Sequence, residues 1–361
     1  MSLSDIQDQE VPLRLLRNIL QQNRVPNGLL FWGPEGVGKR YAAMELAKAI
    51  NCKDGNGDAC DQCLSCRKIN SGNHPDVKII APSGKVRNIN VDTVDFVTEL
   101  AAYRPFQAEW RIILIQDVER MRPEAQNHFL KTLEEPPSKT AFILQTAYPQ
   151  HLLPTIRSRC QPVRFGALQP ETVARILQRE HTLSDEEAHA IALVSQGQVS
   201  RALDLVTTNK RDAVVKVAVR LLKGEDPLLL SESFVAHLKE QTDSLKSALK
   251  NELEGSGHDE GTREDMEEQK KEQAAFIEGQ VRRDYLEYLY LFETWYRDAW
   301  VFEATGDETR LLNRDHAATL QQYVGQEHPA RLTAIEQAWV YIERNLSIDR
   351  VFRDLFFVLA T

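Results

Sequence analysis

The stretch "GLLFWGPEGVGKR", residues 28–40, decides the fold. "GLLFWG" is a short apolar run closing on Gly33, the pattern of a buried strand entering a tight loop. "RYAAMELAKAI", residues 40–50, reads as a helix. Strand, Gly-rich loop and helix in that order are the setting of a P-loop, GxxxxGK[ST]. Gly33, Gly38 and Lys39 occupy its fixed positions and are the candidate nucleotide-binding residues. In a working P-loop the backbone cradles phosphates, the lysine reaches the β- and γ-phosphates, and the Ser or Thr hydroxyl holds Mg²⁺. Here that last position is Arg40, and a guanidinium offers donors only, so it cannot hold a metal ion.

The same alternation continues outward. Val11, Leu15, Leu16, Ile19 and Leu20 recur at helical spacing before the strand. After it, "DVKII" (76–80), "RIILIQD" (111–117), "TAFILQTA" (140–147) and "QPVRF" (161–165) read as strands. "VDTVDFVTELAAY" (91–103) and "PEAQNHFLKTLEE" (123–135) read as helices, the second stopped by Pro136 and Pro137, and "LLPTIRSRC" (152–160) as a short helix or turn. Strands alternating with helices imply an α/β domain, a mostly parallel sheet covered on both faces.

The phosphate side of such a domain needs a strand ending in acidic residues, an Asp for Mg²⁺ and a Glu for water. "IILIQD" puts Gln116 at the metal position and Asp117 at the base position. Sliding the register by one residue makes Asp117 the metal ligand but leaves Val118 as the base. Either register is defective, so the cradle is expected to persist as architecture with hydrolysis abandoned.

Beyond about residue 167 the strands stop. "QPETVARILQRE", "SDEEAHAIALVS" and "QVSRALDLV" read as three short helices, with Ser184 and Glu187 forming a capping box on the second. From about 209 the helices lengthen, and the acidic, Gly-containing stretch near 254–263 reads as a mobile loop between two of them. Leu289, Phe292, Tyr296 and Ala299 share one helical face, a packing stripe rather than a cofactor box.

Composition sets the limits. A chain of 361 residues is too long for one compact domain. At 42% hydrophobic it can build real cores, yet it has no run of 18 apolar residues, so no transmembrane helix and no membrane partner are expected. The polar start "MSLSDIQDQE" argues against a signal peptide, and the expected location is cytoplasmic. Net charge is −9, unhelpful for gripping nucleic acid alone; residues 251–272 carry nine acids against three bases, and the remainder is nearly balanced.

Four of the five cysteines fall within fifteen residues: Cys52, Cys60, Cys63 and Cys66, spaced C-x₇-C-x₂-C-x₂-C. Four thiolates at this spacing suit a tetrahedral Zn²⁺ site with bonds of about 2.3 Å. Gly55, Gly57 and Asp58 supply the turn between the first two ligands. Four protein ligands leave no open coordination position, which makes the zinc structural. Cys160, far along the chain, reads as a buried structural thiol. Arg159 beside it reads, on its own, as a surface salt-bridge residue.

Together, "LKTLEEPP" (130–137), "SRC" (158–160), "HPDV" (74–77) and the four-cysteine insert after the P-loop helix resemble the bacterial DNA polymerase III clamp-loader family. The resemblance is dense over about residues 8–205 and thins to "WYRD" (295–298) and "NRD" (313–315). Within the family the chain is most similar to the non-hydrolysing delta-prime branch; the alternative is the active gamma/tau-type ATPase. The resemblance implies an AAA+ domain over 1–166 with the zinc module at 52–66, a helical lid over 167–208, and a helical oligomerisation collar over 209–361. It implies gamma/tau and delta subunits as partners, with the sliding clamp and primed DNA engaged through the complex. By the "SRC" match, Arg159 is an arginine finger acting in trans on a neighbour's ATP. Thr146 lies near the sensor-1 position and is expected to be structural. Active subunits carry a lid arginine in a Gly-x-x-Arg run; "GQVSRAL" places Ser200 there and Arg201 one later, which implies weak or absent ATP binding.

Overall fold

The computed structural model describes residues 2–22, 24–55, 57–82, 88–135, 139–254, 263–325 and 327–361. They divide into two compact units, Met1–Thr172 with Gly197–Ser200, and Val173–Gln196 with Arg201–Thr361.

The first unit is built on one parallel sheet of β1 (Gly28–Trp32), β2 (Val77–Ile80), β3 (Arg111–Ile115), β4 (Thr140–Thr146) and β5 (Gln161–Arg164). The strand order is β2-β3-β4-β1-β5. Gly28 lies opposite Phe142 and Trp32 opposite Thr146. The helices are α1 (Glu10–Gln21), α2 (Lys39–Asn51), α3 (Leu64–Asn70), α4 (Val91–Ala102), α5 (Pro123–Glu134) and α6 (Pro154–Arg159). Successive strand residues point to opposite faces. Leu29, Phe31, Ile112, Leu114 and Ile143 therefore pack with Leu16, Ile19, Ala43 and Leu46 of α1 and α2. Leu30, Ile113, Ile115, Phe142 and Leu144 pack with Val94, Val97, Phe129 and Ile156 of α4, α5 and α6. Burial on both faces is why the central strands β1, β3 and β4 read as largely apolar runs, whereas the edge strands β2 and β5 expose Lys78, Gln161 and Arg164.

All five expected strands and their helices are present. Two details differ. β3 stops at Ile115, so Gln116 and Asp117 lie beyond it; Gln116 N–H still donates to Ile80 O at 2.8 Å, and Asp117 sits in the left-handed region at φ 46°. Helix α3, inside the cysteine insert, has no apolar periodicity to announce it. Residues 136 and 137, expected to stop α5, lie outside the described residues.

In the second unit α8 (Asp185–Val194) starts at the expected capping box: Ser184 Oγ accepts from Glu187 N–H at 3.2 Å, and Glu187 Oε2 accepts from Ser184 N–H at 3.0 Å. It is flanked in sequence by α7 (Pro170–Glu180) and α9 (Val199–Thr208). The remaining helices are α10 (Lys210–Leu222), α11 (Pro227–Glu254), α12 (Arg263–Thr305), α13 (Ala317–Leu320), α14 (His328–Glu343) and α15 (Ile348–Ala360). Leu289, Phe292, Tyr296 and Ala299 are buried, as a packing stripe requires. Phe234 of α11 centres an aromatic cluster, 5.6 Å from Tyr288 and 5.2 Å from Phe352 between ring centroids. Most of the acidic loop expected near 254–263 lies outside the described residues.

Candidate functional site

Helix α2 carries a different constellation at each end. At its N-terminus the loop from Gly33 to Gly38 has P-loop geometry. A Cβ on Gly33 (φ 144°) would lie 2.2 Å from Phe165 O, and one on Gly36 (φ 70°) 2.0 Å from Ser200 Oγ. Gly38, left-handed at φ 91°, is the N-cap of α2. The loop lies at the carboxyl end of β1, where α/β sheets bind ligands. Its polar groups, however, are turned inward. Lys39 Nζ donates to Gly33 O at 2.7 Å and to Pro34 O at 2.6 Å. Val199 N–H donates to Gly36 O at 3.1 Å. Burial pushes the Lys39 pKa below the usual lysine value, against the upward pull of Glu35, Glu119 and Asp117. Arg40 is exposed, and so is Asp117.

Glu119 is a further acidic residue of this region, one that no motif in the sequence marks. It lies on the 3₁₀ turn Val118–Arg120, two positions past the expected acid. Its Oε1 accepts from Ala147 N–H at 3.4 Å, while Oε2 is buried with no hydrogen-bond partner among the described residues. No motif spacing marks that position, because it depends on the turn that follows β3. Thr146, at the end of β4, is buried, and its Oγ1 accepts from Tyr148 N–H at 2.9 Å, a structural bond.

At the C-terminus of α2, the Sγ atoms of Cys52, Cys60, Cys63 and Cys66 lie within 4.8 Å of one another. Each of three sulfurs accepts a backbone N–H: Cys52 from Cys60 at 3.4 Å, Cys60 from Cys63 at 3.3 Å, Cys63 from Cys66 at 3.4 Å. Backbone bonds from Cys63 and Gln62 lower the Cys60 pKa to about 6, whereas burial raises those of Cys66 and Cys52. Four convergent sulfurs with N–H groups aimed at them fit a tetrahedral thiolate-bound metal, and zinc is the common occupant of such a set. A Cβ on Gly55 would lie 1.9 Å from Asp58 O, and Gly57 is left-handed at φ 84°, so the expected turn is built as read. Asp58 accepts from Leu3 N–H at 3.1 Å, tying the insert to the N-terminal turn. Lys48, buried on α2, bridges Glu45 at 2.9 Å and Asp61 at 2.6 Å.

The "HPDV" motif continues this brace. His74 Nε2 pairs with Ser65 Oγ at 3.3 Å, and its Nδ1 accepts from Asp76 N–H at 3.1 Å. Asp76 is fully buried and accepts from the backbone of Phe106, Gln107 and Ala108 at 2.7, 2.7 and 2.9 Å, and from Arg111 at 3.0 Å. Burial alone would raise its pKa, but these donors outweigh it and hold the carboxyl at about 2. The second unit's motifs are equally structural. Asp298 of "WYRD" accepts from the backbone of Leu312 and Asn313 at 2.9 and 2.7 Å. Asn313 and Asp315 of "NRD" accept from Arg211 at 3.0 and 2.8 Å.

Arg159, the last residue of α6, is half-exposed. Its guanidinium pairs with Glu134 Oε1 at 2.5 Å and donates to Thr155 O at 3.1 Å. It borders an open cleft of about 530 Å³ with Asn27, Leu133, Ser158 and Gln161. Cys160, beside it, is buried, and its pKa is pushed up to about 12 by that burial. Arg201 is committed elsewhere: it meets Glu287 with two bonds of 2.8 and 2.9 Å and stacks 3.8 Å from the centre of the Tyr290 ring. No described helix is long and apolar enough to cross a membrane.

Comparison with known proteins gives the family. Residues 8–169 match the family model "DNA polymerase III, delta subunit". The DNA polymerase III subunit delta' of Bacillus subtilis is 31% identical over 64% of this chain and 70% of its own length. The subunit tau of the same organism is also 31% identical, over 71% of this chain but 46% of its own length. Among solved structures, a gamma-subunit-related protein of Thermotoga maritima aligns over 98% of this chain and 99% of its own at 18% identity, with a TM-score of 0.40. The chain belongs to the clamp-loader subunit family of DNA polymerase III.

Proposed function

We propose that this chain is a non-hydrolysing subunit of a clamp-loader complex, resembling delta-prime, that supplies Arg159 in trans to a neighbouring ATPase. Its partners in this reading are gamma/tau and delta subunits, with the sliding clamp and primed DNA reached through the assembly. Residues 1–166 act as the AAA+ domain, 167–208 as its lid and 209–361 as the collar. The four-cysteine module binds Zn²⁺ as a brace, with no part in chemistry.

The observation that carries this reading is the state of the P-loop. Lys39 is spent on the carbonyls of its own loop, and Ser200 and Val199 press on Gly36. Arg40 and Gln116 replace the two groups that would hold Mg²⁺. Without the ion the charge developing on a transferred phosphoryl group goes unneutralised. Arg159, in contrast, is half-exposed on an open cleft, and a guanidinium fork is suited to a phosphate. Equal identity to the tau relative favours the active ATPase as the second reading.

One experiment separates them. The purified chain with Mg²⁺ and ATP is expected to show no turnover above background, and no saturable nucleotide binding by calorimetry. Robust hydrolysis by the chain alone, abolished by Lys39→Ala, would establish the second reading and remove the first.

A further inference from the structure

We propose that Glu134 is the positioning residue for Arg159, fixing the plane of its guanidinium before a neighbour's nucleotide arrives; this rests on the trans-acting role proposed above. The backbone of Arg159 is already set. A Cβ on Gly28 of β1 would lie 3.4 Å from Arg159 O and 3.0 Å from Cys160 Sγ, so α6 ends tightly packed on the sheet. The side chain beyond it is long and rotamer-rich, and packing does not hold its half-exposed tip. Two contacts do. One terminal nitrogen donates to Thr155 O, four residues back on the same helix, and the other meets Glu134 Oε1. Two fixed points on a planar fork define its orientation, and the rest of the fork stays available to the cleft.

Glu134 also breaks a local rule. It is the final residue of α5, where the helix dipole presents partial negative charge and disfavours an acid. A residue at odds with its own helix is expected where something outside the helix requires it. Arg159 is the partner that answers that charge. A half-exposed ion pair adds little stability, so orientation is what the contact provides.

The test is a double-mutant cycle in the reconstituted clamp-loader complex, reading DNA- and clamp-stimulated ATPase with assembly checked by gel filtration. Ordering one long side chain corresponds to roughly a three- to ten-fold change in rate at the site served. Glu134→Ala is expected to lower that rate by this factor in the wild-type background and to have no further effect in Arg159→Ala. Glu134→Gln, which keeps an acceptor oxygen without the charge, is expected to retain most of the rate. If Arg159→Ala slows the neighbour but Glu134→Ala does not, or if the two losses multiply, Glu134 has no positioning role while the finger stands. If Arg159→Ala leaves the neighbour unaffected in an assembled complex, the trans-acting reading falls and this inference with it.

Discussion

The two ends of α2 have fared differently. At Cys52 the helix delivers one of four sulfurs into a complete ligand set, with backbone N–H groups aimed at three of them. At Lys39 it delivers a lysine that has turned back onto its own loop. Each end has glycine in the left-handed region, Gly36 and Gly38 at one and Gly57 at the other. The difference shows that backbone geometry and chemistry are separable. A P-loop with Arg40 in place of the Ser or Thr hydroxyl still serves as the joint between β1 and α2, because its turn is made by the backbone. In the four-cysteine module the sulfurs themselves accept the backbone N–H groups of the turn, so the side chains that could hold a metal are also part of the local structure.

The largest effect is therefore expected at the metal end. Protein purified without added metal is expected to carry one equivalent of zinc by elemental analysis, and Cys66→Ser to lose it. Structural zinc sites of this kind contribute on the order of 10 kcal/mol in small peptides, so chelation is expected to unfold the insert and lower the melting temperature. Four freely titrating thiols in the native, metal-free fold would place both ends of α2 in the same class, kept only as architecture.

Asp76 sharpens the comparison, since it braces the strand that follows the insert. Asp76→Asn is expected to cost about 3 kcal/mol, because Arg111 loses the charge of its buried partner. The pH dependence has a definite sign. The folded-state pKa of about 2 lies below the ordinary aspartate value, so the stabilisation is complete above about pH 4 and is lost as the pH falls toward 2. Denaturant melts between pH 2 and 7 would show that loss in the wild type and its absence in Asp76→Asn. A slope unchanged by the substitution would assign the acid sensitivity to other carboxylates.

The smallest effect is expected at the phosphate end. Arg40 is exposed, so Arg40→Thr should change stability by no more than about 0.5 kcal/mol. Restoring the hydroxyl alone is expected not to bring nucleotide binding, because Lys39 and Gly36 stay engaged with their own neighbours. Tight Mg-ATP binding after that single change would mean that the cradle is open and only the metal ligand was missing.

The sequence by itself determined the parallel α/β unit, the capping box at Ser184, the aromatic stripe on α12 and which four cysteines gather into one cluster. These depend on local spacing: apolar runs for strands buried on both faces, a side chain reaching three residues ahead, ligands a few residues apart. Tertiary structure decided what could not be local. "HPDV", "WYRD" and "NRD" stand out as motifs, yet only the fold shows Asp76 holding the 106–108 backbone, and Asp298 and Asp315 bracing Asn313 and Arg211. Glu119 comes close enough to Lys39 for its charge to act there only through the turn after β3, and Glu134 meets Arg159 across twenty-five positions of chain. Buried and half-buried charges choose partners by distance in space, because an unpaired charge is costly wherever the chain happens to place it. That choice is invisible until the sheet has brought the strand ends together.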